Sequence, residues 1–214
     1  MDSLRCVRPH EDSWLVARAD ELVARHIVSG ELGCPVCGAR YAVREGVVDF
    51  REPATADDVE DSSMRVELSS TADALALRAA ALLGLVEPGG VVVLAGEWST
   101  AAYEVLEMVG EVQILALNYA PGLESGGALS LARIADVLPL AAGSVRGIAL
   151  DAAHATPSLL AGAARALVPD GRLIAPASAL VPDALMELVR DAEHWVAAAA
   201  ATRASAPVSI GVRR

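Results

Sequence analysis

Three cysteines and one histidine near the amino terminus have the spacing of a metal site. Cys34 and Cys37 lie in a Cys-Pro-Val-Cys-Gly run, where two thiolates can bind one ion and the glycine allows a tight turn. Cys6 and His10 would add a third sulfur and an imidazole nitrogen. Such a set is typical of structural zinc sites and leaves no open coordination position. The sequence therefore predicts a structural zinc ion.

Two alternatives remain at this site. In the first, the site has decayed and Cys6 is a small buried hydrophobic residue. In the second, His26 takes the place of His10 as the fourth ligand. A disulfide framework is disfavoured, because the cysteines are odd in number and lie close together. A bound zinc ion would contribute on the order of 10 kcal/mol to folding of the first 50 residues.

A second group of residues capable of chemistry follows predicted buried strands. Gly96 and Glu97 follow one strand, Asn118 follows the next, and Asp151 and His154 follow a later one. Asp151 or His154 could orient or deprotonate a nucleophile. The alternatives are a simple turn glycine, a strand-end amide and a solvated pair in a loop.

The elements that position this second group alternate between helix and strand. We predict helices over 73–86, 99–108 and 156–167 and one starting at 182, and strands over 91–95, 112–117, 137–140, 147–150, 171–175, 195–201 and 208–212. This alternation favours an α/β fold with a doubly wound, mostly parallel sheet.

An acidic segment divides the chain. Residues 51–71 are polar and show no clear periodicity, so we predict a linker there. Residues 1–50 would form a small zinc-ribbon-like β domain, and residues 72–214 the α/β domain.

Composition excludes several classes of function. All 17 basic residues are arginine, so no mechanism can use a lysine. The net charge is −11 and no basic stripe is present, which argues against direct binding to nucleic acid. No apolar run is long enough for a signal peptide or a membrane span. We therefore expect a cytoplasmic protein that binds no membrane.

The first 50 residues also carry a family resemblance. Leu4-Arg5-Cys6, the later Cys-Pro-Val-Cys run, Tyr41 and the Gly-Val-Val-Asp-Phe run at 46–50 resemble the small zinc-ribbon family that includes the activator subunit of tRNA and translation-factor methyltransferases. His10 stands where that family has a cysteine. In the family the ribbon docks and stabilises, and it is also found fused ahead of methyltransferase domains. The resemblance implies a protein partner that binds through the ribbon.

The remainder resembles a second family. The segments 138–145 (LPLAAGSV) and 160–173 (LAGAARALVPDGRL) resemble class I S-adenosylmethionine-dependent methyltransferases, and 195–212 resembles their closing antiparallel hairpin. The resemblance implies that Gly96, Glu97 and Asn118 contact the cofactor. It also implies that Asp151 or His154 faces the substrate.

The cofactor turn departs from that family's pattern. The family has Gly-x-Gly-x-Gly after the first strand, whereas this sequence keeps only Gly96 and places Trp98 where bulk would crowd a ligand. Asn118 replaces an acid and can bind a ribose only without charge assistance. We therefore expect a methyltransferase-like protein with weakened or lost S-adenosylmethionine use, whose ribbon is a structural or docking module. The alternative is an active methyltransferase acting on a small molecule or protein.

Overall fold

The computed structural model describes residues 3–51 and 70–200, and in them one sheet connects eleven strands. The strands are β1 (Val16–Val23), β2 (His26–Gly33), β3 (Arg40–Arg44), β4 (Val47–Asp49), β5 (Val91–Ala95), β6 (Gln113–Leu117), β7 (Leu129–Arg133), β8 (Val145–Ala149), β9 (Leu167–Pro176), β10 (Leu185–Arg190) and β11 (His194–Ala199). The helices are α1 (Ser70–Leu83), α2 (Ala102–Met108) and α3 (Pro157–Ala166), and a 3₁₀ helix (Gly96–Ala101) precedes α2.

The strand order is β1-β2-β3-β4-β7-β6-β5-β8-β9-β11-β10. The six central strands, β4-β7-β6-β5-β8-β9, are parallel to one another. The pairs on either side of them are antiparallel. The chain leaves β5 toward β6 on one side and later returns to β8 on the other. The predicted α/β fold is thus confirmed, with a doubly wound arrangement in the centre of the sheet.

Two hydrophobic layers cover the parallel strands. β5 is a near-continuous apolar run, as expected for a strand buried on both faces. Val92 and Leu94 pack with α1, the 3₁₀ helix and α2. Val93 packs on the other face with residues of α3 and of strands β2, β3 and β4. The amino-terminal strands therefore occupy part of a face that an α/β sheet usually covers with helices.

The amino-terminal residues join the rest of the chain through backbone bonds as well. β4 pairs in parallel with β7, with Val47 opposite Leu131. The Arg5 N–H donates to the Pro139 carbonyl, and the Ala141 N–H donates to the Ser3 carbonyl. The division into domains at 51–71 stays a prediction, and most of that segment lies outside the described residues.

Two predicted elements are wrong. The third parallel strand is β7, not 137–140. Leu138 and Leu140 are buried, but within the described residues this segment forms only one isolated β-bridge, between Leu140 and Leu4. The segment after Pro182 forms strand β10 rather than a helix, because Asp191 accepts N–H bonds from the turn and closes a hairpin with β11. The predicted strand over 208–212 lies outside the described residues. The closing hairpin predicted over 195–212 is instead formed by β10 and β11.

Candidate functional site

The four predicted metal ligands converge. One ligand atom from each of Cys6, His10, Cys34 and Cys37 lies within 4.8 Å of all the others. The Sγ atoms of Cys6 and Cys37 are 3.6 Å apart, and the Cys34 Sγ is 3.4 Å from the His10 Nε2. Ligand atoms around a tetrahedral zinc ion, with Zn–S about 2.3 Å, stand roughly 3.8 Å apart. The four donors therefore fit a tetrahedral metal ion.

The backbone of the 34–39 turn holds two of these ligands. The Cys34 N–H donates to the Ala39 carbonyl (2.8 Å), and the Gly38 N–H donates to the Cys34 carbonyl (3.0 Å). Gly38 has φ +70°, which glycine adopts at little cost. Burial raises the pKa of the Cys34 thiol, but the backbone N–H groups of Cys37 and Val36 outweigh it and bring that pKa to about 6. The metal-binding thiolate is thereby favoured.

The other pair of ligands is oriented by its neighbours. The His10 Nδ1 lies 2.6 Å from the Glu11 carbonyl oxygen, so Nδ1 carries the proton and the Nε2 lone pair faces Cys34. The Tyr41 hydroxyl lies 3.0 Å from the Cys6 Sγ and accepts the Val7 N–H (3.3 Å).

His26, the alternative fourth ligand, lies elsewhere. Its Nε2 is 2.8 Å from the Gly127 carbonyl oxygen, and it is not part of the four-ligand cluster. The contact of Tyr41 with a ligand sulfur was not predicted. The only signal for it was the position of the tyrosine four residues after Cys37.

The second predicted group meets at the carboxyl edge of the parallel strands. Gly96 and Glu97 follow β5, Asn118 follows β6, and Asp151 and His154 follow β8. The chain reverses direction across the sheet between β5 and β8, and α/β sheets bind ligands in the crevice outside such a switch point. The topology thus brings all five residues to the place where a ligand is expected, while their roles remain predictions.

Hydrogen bonds join these side chains into one network. The Asp151 Oδ1 lies 2.6 Å from the His154 Nδ1, and the Oδ2 accepts the Glu97 N–H (3.0 Å). The Asn118 Oδ1 accepts the Ile134 N–H (2.9 Å), which fixes the amide so that its Nδ2 points at the His154 Nε2 (3.0 Å). An amide nitrogen only donates, so the Nε2 accepts and the Nδ1 proton faces Asp151.

The network favours an ionised Asp151. Burial raises the pKa of this carboxyl group, but the His154 side chain and the N–H groups of Glu97 and His154 outweigh it and hold the pKa below its usual range. The Asp151 and His154 side chains are only 14% and 12% exposed. Little of either side chain is left free to meet a ligand.

The turn after β5 is filled by the chain itself. Gly96 has φ +59°, and a Cβ atom there would lie 1.9 Å from the Asp151 Oδ2 and 2.9 Å from the His154 Nδ1. Trp98 is fully buried, with its ring 5.3 Å from the His194 ring. Asp151 and His154 therefore lie directly against the backbone of this turn.

No protein-family profile matches this sequence, and a search of curated proteins finds no match. Among solved structures, the chain is similar to an S-adenosyl-L-methionine methyl transferase from Silicibacter pomeroyi (13% identity, TM-score 0.43, 60% of this chain and 94% of that chain). It is also similar to a chain in the complex between the Haloferax volcanii Trm112 methyltransferase activator and a methyltransferase (23% identity, TM-score 0.37, 53% of this chain and 61% of that chain).

A third similar structure is geranyl diphosphate C-methyltransferase from Streptomyces coelicolor (15% identity, TM-score 0.39, 48% of this chain and 42% of that chain). The match spans less than half the length of that enzyme. The parallel centre of the sheet and its closing antiparallel hairpin define a doubly wound α/β fold. No helix in the described part of the chain is long and apolar enough to cross a membrane.

Proposed function

We propose that this chain is a methyltransferase-like protein that has lost S-adenosylmethionine use, and that its zinc-bound ribbon is a structural and docking module. The observation that carries the proposal is the Asp151 carboxylate, which lies against Gly96 and accepts the Glu97 N–H. For a ligand to approach this turn, Asp151 would have to leave. A hydrogen bond to a charged group contributes about 1.5–3 kcal/mol, so this displacement opposes binding.

The amide of Asn118 supports the same conclusion. Its Nδ2 reaches the Ile134 carbonyl and the His154 Nε2, and its Oδ1 accepts the Ile134 N–H. Both amide hydrogens are therefore used within the protein. A ribose hydroxyl would compete with these bonds and would gain no charge assistance from an amide.

The proposed role of the ribbon rests on the position of its metal ligands. Cys6 directly follows the segment that bonds to residues 139–141, whereas Cys34 and Cys37 belong to the turn after β2. An ion held by these cysteines and His10 would join the amino-terminal segment to the ribbon, and with four protein ligands it would be structural. The ribbon would dock onto another protein.

Calorimetric titration with S-adenosylmethionine and S-adenosylhomocysteine tests the loss of cofactor use. We expect no binding heat from the wild-type protein at millimolar ligand. A matched titration of Asp151→Ser, whose side chain is shorter, shows whether the closed crevice is the cause. Micromolar binding by the wild-type protein would contradict the proposal.

Such binding would instead favour the second candidate, an active methyltransferase. The Asp151–His154 pair is the observation on its side, because a carboxylate that fixes one imidazole tautomer is typical of general bases. In that case, His154→Gln should abolish methyl transfer and leave cofactor affinity within about threefold.

A further inference from the structure

A cavity of about 110 Å³ lies between the amino-terminal strands and the amino ends of the parallel strands. Val91 and Gln113, the first residues of β5 and β6, line it, and so does Ser130 near the start of β7. Parallel strands begin at one edge of a sheet and end at the opposite edge. Since the crevice at the switch point lies where β5, β6 and β8 end, the cavity is a separate site at the other edge.

The cavity exists because no helix covers this part of the sheet. In the part of the chain that the structure describes, the connections 118–128 and 134–144, which join β6 to β7 and β7 to β8, contain no helix. A parallel crossover usually contains a helix that packs on the sheet. Here β2, β3 and β4 cover this face instead. They leave a space in front of Leu115 and Ala132, which both line the cavity.

The walls of the cavity are apolar, and its rim is polar. Leu32, Val43 and Leu115 are buried in the walls, whereas Gln113 and Ser130 are exposed at the rim. An engineered apolar cavity of about 150 Å³ in another protein stays dry and binds benzene. The present cavity is smaller but opens to solvent at the rim. It therefore has room for a ring or short chain of about six non-hydrogen atoms whose polar substituent points outward.

His26 also lines the cavity and supplies a fixed hydrogen-bond acceptor. Its Nε2 lies 2.8 Å from the Gly127 carbonyl oxygen. A carbonyl only accepts, so Nε2 carries the proton and Nδ1 of the neutral ring is an acceptor. Within residues 3–51 and 70–200, this Nδ1 forms no hydrogen bond. A ligand that donates a hydrogen bond would complete the pairing of the ring.

The lining of the cavity favours an uncharged ligand. None of the described residues that line it is Asp, Glu or Arg. An ion in the cavity would lose its water shell without gaining a partner of opposite charge. The Gln113 amide and the Ser130 hydroxyl can donate to a ligand oxygen. A hydroxyl group matches this rim, because it donates to the His26 Nδ1 and accepts from either neighbour.

We propose that the cavity binds a small uncharged molecule with an apolar body and one hydroxyl group, that is, a phenol or a short alcohol. The apolar body contacts Leu32, Val43 and Leu115, and the hydroxyl group donates to the His26 Nδ1. The amino-terminal strands and the α/β part each supply one wall, so binding stabilises their contact. This site is independent of the proposed loss of S-adenosylmethionine use, because it shares no residue with the crevice.

Titration of the methyl-labelled full chain with phenol, followed by NMR, tests the proposal. We expect saturable binding in the submillimolar to millimolar range, since a ligand of so few atoms gains little affinity. Nuclear Overhauser contacts should join the phenol protons to methyl groups of Leu32, Val43 and Leu115. Leu94, which is buried on the opposite face of the sheet, should show none.

A matched pair of variants tests the location. Side chains alternate along a strand, so Ser130 faces the same side as Ala132. Ser130→Phe should fill the mouth of the cavity and weaken phenol binding about tenfold or more. Ser178→Phe makes the same change at an exposed serine after β9, outside the cavity, and should leave binding unchanged. Circular dichroism checks that both variants fold.

The role of the hydroxyl group is tested with toluene, which lacks one. His26→Phe keeps a ring of similar size but removes the acceptor. It should weaken phenol binding about threefold to tenfold, the effect of one neutral hydrogen bond, and leave toluene binding within about twofold.

The absence of phenol binding at about 20 mM overturns the proposal. So does binding that Ser130→Phe and Ser178→Phe weaken equally or not at all, or phenol contacts with Leu94 rather than with the methyl groups of the cavity. Equal loss of phenol and toluene binding in His26→Phe overturns the assignment of the hydroxyl acceptor. None of these results depends on titration with S-adenosylmethionine, so the two proposals can fail separately.

Discussion

Asp151 and Gly96 lie against each other at the switch point of the sheet. Gly96 is required for two reasons. Its backbone has a positive φ, and the Asp151 carboxylate fills the space that a Cβ atom would take. In a ligand-binding turn, the same lack of a Cβ lets a ligand approach the backbone. A retained glycine is therefore compatible with a closed site, although its sequence context alone suggests an open one.

Substitution of Gly96 by alanine separates these two requirements. Gly143 provides a matched control, since it has the same φ of +59° and a Cβ added there would meet no atom within 4 Å. Gly143→Ala should lower the free energy of unfolding by about 1–2 kcal/mol, the cost of the left-handed conformation. Gly96→Ala should cost on the order of 2 kcal/mol more, because Asp151 must move and lose charged hydrogen bonds. Urea denaturation measures both, and equal losses would show that Asp151 does not fill this space.

The low pKa of Asp151 predicts a pH dependence of stability. A carboxyl group with a lower pKa in the folded state stabilises the protein fully above its unfolded pKa of about 3.9. That stabilisation is lost as the pH falls through the lower folded value. The difference in unfolding free energy between wild type and Asp151→Asn should thus be largest above about pH 5 and shrink below about pH 4. Denaturation curves across this range test it, and a difference independent of pH would contradict it.

Sequence spacing was sufficient to predict that one of the two groups comes together. Cys6, His10, Cys34 and Cys37 form two short-range pairs that converge in the structure, whereas metal binding by them stays a prediction. The contact of Asp151 with the turn after β5 could not be predicted, because it depends on Asp151 reaching the backbone of Glu97, 54 positions away. Only the topology of the sheet brings these two residues together.

Among the elements, apolar runs bounded by turn residues were predicted well. β5 and β6 match their predicted ranges closely, and α3 begins at Pro157 with the Thr156 side chain accepting the Leu159 N–H. The segment from 185 to 190 was mistaken for a helix, because only Leu185 is buried and the alternation expected of a strand is missing. Its conformation depends on pairing with β11, which is tertiary information.

The cluster of Cys6, His10, Cys34 and Cys37 connects the amino-terminal segment with the turn after β2, and Tyr41 of strand β3 contacts it. Cys34→Ser should abolish stoichiometric zinc binding, whereas His26→Ala should retain one zinc per chain, because His26 lies outside the cluster. Elemental analysis of the purified variants measures both. Zinc that is retained by Cys34→Ser would contradict the predicted site. Zinc that is lost in His26→Ala would show that His26, and not His10, is the fourth ligand.

At the scale of the whole molecule, the described residues share one sheet, which connects the amino-terminal strands to the α/β part. Tyr41 and Phe50 of the amino-terminal part belong to the same buried cluster as Leu115, Leu117 and Leu140. Since β4 lies along β7, the amino-terminal strands also protect an edge of the parallel sheet.

This shared core predicts the behaviour of a shortened chain that begins at residue 72. Without the amino-terminal strands, the buried face around Leu115, Leu117 and Leu140 would be exposed to water, and β7 would become an open edge. Exposed apolar surface of this kind leads to aggregation. We expect the shortened chain to be aggregated or unfolded, and the full chain to unfold in one transition seen equally by far-ultraviolet circular dichroism and tryptophan fluorescence. A soluble monomer of residues 72–214 with native-like circular dichroism would instead show that the predicted boundary at 51–71 separates two independent domains, and that the contacts of β4 with β7 are dispensable for the fold.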